Sequence, residues 1–106
     1  MSYRFMRILV MFDLPTETSE QRKNYRNFRK NLIKTGFIMM QESVYVKLAM
    51  NQNSTDLVIK SIRKYCPDEG IVQILTVTEK QFSKMEFLVG ESQNEYVDSD
   101  ERFIEL

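Results

Sequence analysis

The sequence predicts an α+β fold, a two-layer sandwich in which one antiparallel sheet carries two helices on one face. Three observations predict it. Apolar, β-branched and aromatic runs alternate with segments of helical period in the order βαββαβ. Breakers stand at the joints, at Asp13-Leu14-Pro15, at Gly36 and at Pro67 to Gly70. The chain has 106 residues, enough for one domain that buries roughly 65 per cent of its unfolded surface and folds without staples.

Tyr3 to Phe12 is rich in aromatic and aliphatic residues and ends at the Asp13 to Pro15 breaker, as a buried strand would. Thr16 or Thr18 can cap the helix that follows. From Glu17 to Thr35 the apolar residues Tyr25, Phe28 and Leu32 recur at helical spacing, and Gly36 supplies the stop. Glu17 and Glu20 near the start and Lys34 near the end suit the helix dipole.

Phe37 to Met50 returns to strand composition, with Ser43, Tyr45 and Lys47 on one face and Val44, Val46 and Leu48 on the other. It is long for one strand. Gln41-Glu42-Ser43 is the place for a tight turn or a bulge, although no Gly or Pro marks it. Ser54 or Thr55 can cap a second amphipathic helix built on Val58, Ile62 and Tyr65, which stops before Pro67. Ile71 to Thr78 is a further strand, and Thr78-Glu79-Lys80-Gln81 reads as the capped start of a helical turn reaching Met85.

This order is the ferredoxin-like arrangement. Residues around Ile8 to Phe12 are apolar on both faces, so the sheet face without helices is expected to pack on a second copy, giving a homodimer. Residues 1–85 form the domain and residues 86–106 an acidic tail with seven acids and one base, Arg102. The apolar end of the tail, Arg102, Phe103, Ile104 and Leu106, suits an added edge strand or a docking segment; the plainer reading is a disordered tail.

Cys66 is the single cysteine and there is no histidine, which excludes a disulfide framework, a Cys/His zinc site and imidazole base catalysis. A reducing cytoplasm suits such usage. The apolar run behind Arg4 and Arg7 is too short for a signal sequence or a membrane span. Net charge is zero, yet residues 1–50 hold nine Lys/Arg against four Asp/Glu and residues 51–106 hold six against eleven. Such asymmetry suits one surface that meets a polyanion.

The positive charge concentrates on the first helix. At about 100° per residue, Arg22, Arg26 and Arg29 form one stripe with Lys23, Lys30 and Lys34 beside it, away from the apolar face. Arg is the preferred fork for phosphate oxygens, and few acids interleave, so the pattern favours contact with a nucleic-acid backbone over an ordinary solvated face. The strands lack an RNP1 pattern, which points to a duplex read by shape and charge.

Asp13 is the sole acid among the first sixteen residues. One carboxylate cannot make a strong Mg²⁺ site, whereas two copies across a dimer axis could, with waters and phosphate oxygens completing the shell. The plainer reading is that Asp13 caps the Pro15 turn or the helix start.

Phe12-Asp13-Leu14-Pro15, the Arg22/Arg26/Phe28 helix, Gly36-Phe37 and Gln41-Glu42-Ser43-Val44-Tyr45 together resemble the small core adaptation protein of CRISPR systems, the non-integrase, endoribonuclease-named subunit of the spacer-acquisition complex. Leu75 to Phe82, LTVTEKQF, resembles the form that accompanies type II systems. The resemblance spans nearly the whole chain. It implies a symmetric homodimer between integrase subunits, basic helices gripping double-stranded prespacer DNA, and an acidic tail that docks on the integrase. It also implies a Mg²⁺-dependent endonuclease in which Asp13 is the metal ligand and catalytic residue. Two readings therefore stand: a DNA-binding scaffold, which is favoured, and a metal-dependent phosphodiesterase. A small-ligand regulatory domain is the outsider, with no Gly-rich loop to support it.

Overall fold

A computed structural model describes residues 5–91. Four strands and three helices follow in the order β1 (Met6–Asp13), α1 (Ser19–Thr35), β2 (Ile38–Gln41), β3 (Val44–Ala49), α2 (Gln52–Tyr65), β4 (Ile71–Thr78) and α3 (Glu79–Phe82). The sheet order is β2-β3-β1-β4, and every neighbouring pair is antiparallel. Each long helix therefore links two parallel strands with a third strand between them, which is the ferredoxin-like α+β sandwich.

Local chemistry sets the boundaries. Thr18 caps α1 through a complete capping box with Gln21, so the helix starts at Ser19 and Glu17 lies outside its first turn. Gly36 ends it at φ 107°, where its N–H reaches the Ile33 and Leu32 carbonyls. Asn51, rather than Ser54 or Thr55, caps α2, because its side-chain oxygen is placed to accept from Ser54 N at 2.9 Å. The long strand of the sequence is a hairpin: Gln41 pairs with Val44 across a two-residue turn in which Ser43 takes φ 67°. That left-handed backbone at a non-glycine residue explains why no Gly or Pro betrayed the turn.

The core lies between the sheet and the two long helices. Ile8, Val10 and Phe12 of β1 meet Phe28 and Leu32 of α1, Ile62 of α2, and Phe37, Tyr45 and Ala49. At the Asp13 end the Phe12 ring lies 5.1 Å from Phe28, 5.7 Å from Tyr45 and 5.9 Å from Tyr25. Such pairs each add about 0.5–1.5 kcal/mol beyond burial.

On the opposite face, Leu9 and Val46 are buried while Ile38, Leu48, Ile71 and Leu75 are exposed by between 42% and 57%. That face is not wholly open. α3 folds over one end of it: Arg7 binds Glu79 through Nε and Nη2 and lies 4.6 Å above the Phe82 ring. Residues 86–91 carry no helix or strand, and the predicted docking residues Arg102, Phe103, Ile104 and Leu106 lie outside the described residues. Among the described residues no helix is long and apolar enough to cross a membrane.

Candidate functional site

α1 turns the spacing of the sequence into a surface. Phe28 and Leu32 point inward, and this fixes Arg22, Lys23, Arg26, Arg29, Lys30 and Lys34 on the exposed side of a 17-residue helix, about 26 Å long. The six cations are not equivalent. The Arg22 Nη1 donates to the carbonyls of Thr16 and Glu17 at 3.1 and 2.9 Å, folding the side chain back over the helix entry. Arg29 Nε donates to the Tyr45 hydroxyl at 2.7 Å. Lys23, Arg26, Lys30 and Lys34 have no hydrogen-bond or ion-pair partner among the described residues, where the sole ion pair is Arg7 with Glu79. Four flexible, hydrated cations along one helix are arranged to follow phosphates.

Sequence spacing did not place Ile33, which is exposed within this stripe, or Lys47 of β3, whose ammonium lies over Gly36 at the end of α1. Lys47 reaches the negative end of the helix dipole there. Its position follows from the β1–β3 register, Lys47 opposite Ile8, which no local pattern reveals.

Asp13 is the exposed last residue of β1. By strand alternation it shares the face of Arg7, Leu9 and Met11, opposite the helices, and its register partner is Ile71. Its backbone is held tightly: Gly70 (φ 89°) presses so close that an added Cβ would lie 2.6 Å from the Asp13 carbonyl oxygen. The carboxylate itself has no hydrogen-bond partner among the described residues. Asp13 and the basic stripe, neighbours in sequence, thus occupy opposite faces of the sheet.

The Asp68-Glu69-Gly70 turn does not complete a metal site. Asp68 and Glu69 instead line a notch of about 450 Å³ with Thr18, Glu20, Gln21 and Asn24, where Gln21 donates to Glu69 at 3.2 Å. No group of three or more His, Cys, Asp or Glu side chains able to hold a metal ion occurs among the described residues. Among the described residues a single chain therefore offers Mg²⁺ one carboxylate at this strand end, and these residues fit the ion if a second copy brings another.

A second concavity, about 490 Å³, opens between α1 and the β2–β3 turn, lined by Tyr25, Arg29, Met39, Glu42, Ser43 and Tyr45. Elsewhere burial pushes the Tyr65 hydroxyl above its ordinary pKa, against the opposing pull of its hydrogen bond with Thr35, and burial likewise pushes up the Cys66 thiol.

Fold and site define a ferredoxin-like domain with a cationic helix face and a solitary carboxylate at a strand end. A family model described as "CRISPR associated protein Cas2" matches residues 6–85. The chain is 56% identical over 101 residues to a CRISPR-associated endoribonuclease Cas2 of Treponema denticola, covering 95% of this chain and all of that protein. It is 52% identical to the Cas2 endoribonuclease of Ligilactobacillus salivarius over the same shares, and 46% identical to that of Streptococcus mutans, covering 95% of this chain and 93% of the other. A solved structure titled "Crystal structure of cas2" superposes with a TM-score of 0.58 at 18% identity, covering 84% of this chain and 91% of that one, which supports the fold. The chain belongs to the CRISPR-associated Cas2 family.

Proposed function

We propose that this protein is a homodimeric scaffold of CRISPR spacer acquisition, of the type II form, that bridges integrase subunits and grips double-stranded prespacer DNA along α1. One observation carries the reading: six exposed cations stand on one helix, four of them with no partner among the described residues. A structural helix face would interleave acids at i, i+4 spacing. Here the helix itself carries a single acid, Glu20 in its first turn, with Glu17 just before the cap, and none interleaves with the cations from Arg22 to Lys34. The half-covered apolar face bearing Ile38, Leu48, Ile71 and Leu75 supports packing against a second copy. The test is binding of purified protein to a blunt DNA duplex over a salt series; no measurable binding at low salt would remove this reading.

The exposed Asp13 carboxylate favours a second reading, endonuclease activity of the kind the relatives' names print. In a dimer formed through that sheet face, Asp13 of each copy would hold a shared Mg²⁺, which when bound supplies Lewis-acid stabilisation of a phosphodiester. The chain's own contribution is the fixed backbone at Asp13, set by Gly70. Mg²⁺-dependent cleavage of RNA and DNA by wild type and Asp13→Ala, compared with spacer acquisition by the same variants, separates scaffold from nuclease.

A further inference from the structure

A second group of cations stands in the helix layer, on α2. Lys60, Arg63 and Lys64 are exposed, and none has a hydrogen-bond or ion-pair partner among the described residues. Asp56, the sole acid of α2, stands one turn before Lys60, yet its carboxylate accepts from the Gln52 amide at 3.0 Å. Arg63 and Lys64 lie in the last turn, where the helix dipole favours them, but Lys60 lies before that turn and outside the reach of the dipole. Dipole compensation therefore does not account for the group.

Packing places these cations beside α1. At about 100° per residue, Ser54, Val58, Ser61 and Tyr65 form one flank of α2. That flank meets α1, since the Tyr65 ring lies 5.7 Å from Phe28 and its hydroxyl 3.1 Å from the Thr35 hydroxyl. The last turns of α2 thus stand next to the stretch of α1 that bears Lys30 and Lys34. Lys60 and Lys64, one turn apart, project from the outer side of α2 as those two do from α1. No acid lies in the seam between the two pairs: the same spacing gives it Asn27 and Asn31 from α1, and Ser54 and Ser61 from α2. Packed helices stand about 8–10 Å apart, and cations splayed from two such rods straddle a groove about 6 Å wide, which is the minor groove of a duplex. A duplex held by α1 alone would leave its second strand unmet.

We propose that α2 is a second phosphate rail: Lys60 and Lys64, with Arg63 alongside, meet the strand that α1 does not, so that one protomer spans the minor groove and holds both backbones. The proposal rests on the reading that α1 grips duplex DNA, and it adds the contact by which the protein distinguishes a duplex from a single strand. Contacts of this kind position the duplex without reading its bases.

The experiment measures affinity over a salt series for a blunt duplex and for one of its strands. The proteins are wild type, the α2 variant Lys60→Gln/Arg63→Gln/Lys64→Gln and the α1 variant Lys23→Gln/Arg26→Gln/Lys30→Gln/Lys34→Gln. The α2 variant is expected to lose about 2 to 3 from the duplex slope of log K against log salt, at about 0.9 per phosphate, and to bind the single strand as wild type does. Its melting temperature should stay that of wild type, whereas a purely structural role would lower it and leave the slope alone. A wild-type duplex slope in the folded α2 variant overturns the rail while the reading of α1 stands; the patch, with exposed Leu57 beside it, then suits an acidic protein surface. Equal losses on duplex and single strand also overturn it, because α2 would then not serve the second strand. A loss in the α2 variant beside an unchanged α1 variant would remove the reading of α1 and uphold α2 as the phosphate contact. No binding of the duplex by wild type overturns both.

Discussion

The salt dependence of duplex binding should scale with the number of unpartnered cations on α1. Arg22 and Arg29 spend donors on the Thr16 and Glu17 carbonyls and on Tyr45, which leaves Lys23, Arg26, Lys30 and Lys34. Each phosphate neutralised contributes about 0.9 to the slope of log K against log salt, so four contacts contribute about 3.6 per chain. Between 50 and 200 mM salt that share corresponds to a loss of roughly 150-fold in affinity. Changing all four to Gln keeps helix propensity nearly constant and touches no buried atom, so the fold should be retained, as circular dichroism and thermal melting will report. Fluorescence anisotropy on a labelled duplex should then show the slope falling by about 3 to 4. A slope equal to that of wild type, with the variant folded, would refute the assignment of this face to phosphate contact.

Three further outcomes are expected. Asp13→Ala should leave duplex affinity within about twofold, because the carboxylate lies across the sheet from α1 and its field is screened; on the nuclease reading any Mg²⁺-dependent cleavage by wild type should be lost in this variant, and equal cleavage by both proteins would show that Asp13 holds no catalytic metal. Gly70→Ala should cost at least about 2 kcal/mol by urea titration, since a Cβ would be forced into a left-handed backbone at 2.6 Å from the Asp13 carbonyl oxygen; an unchanged midpoint would mean that the turn can relax. Stability should decline at alkaline pH. The Cys66 thiol and the Tyr65 hydroxyl have raised folded-state pKa values, so the unfolded chain releases their protons first. The resulting stability is whole below their ordinary pKa values, about 8.5 and 10, and is lost as pH rises through the folded values. Cys66→Ser should remove the earlier part of that decline, and an identical alkaline melting profile would exclude the thiol as its source.

Much of the fold was legible because its determinants are local. The period of Tyr25, Phe28 and Leu32, the Thr18 and Thr78 capping boxes, Gly36 and the β-rich run of Ile71 to Thr78 each act over a few residues, and the elements formed close to where these signals stand. The hairpin at Glu42-Ser43 was less legible. Its turn is held by cross-strand pairing and by the Phe12 to Ser43 hydrogen bond rather than by turn residues, so only long-range contacts reveal it.

The same division runs through the functional surface. Sequence alone determined that six cations share one helix side, because helical spacing and an apolar stripe leave them no other place. It also singled out Asp13 as the first strand's terminal acid. The tertiary structure decided that Asp13 faces away from that helix, since strand alternation sends it to the opposite side of the sheet. It decided, too, which cations are already engaged, and it assembled a cleft from Tyr25, Arg29, Met39, Glu42, Ser43 and Tyr45. Those residues span the two sides of a helix–sheet interface, and only the packing of α1 on the sheet brings Arg29 within hydrogen-bonding reach of Tyr45.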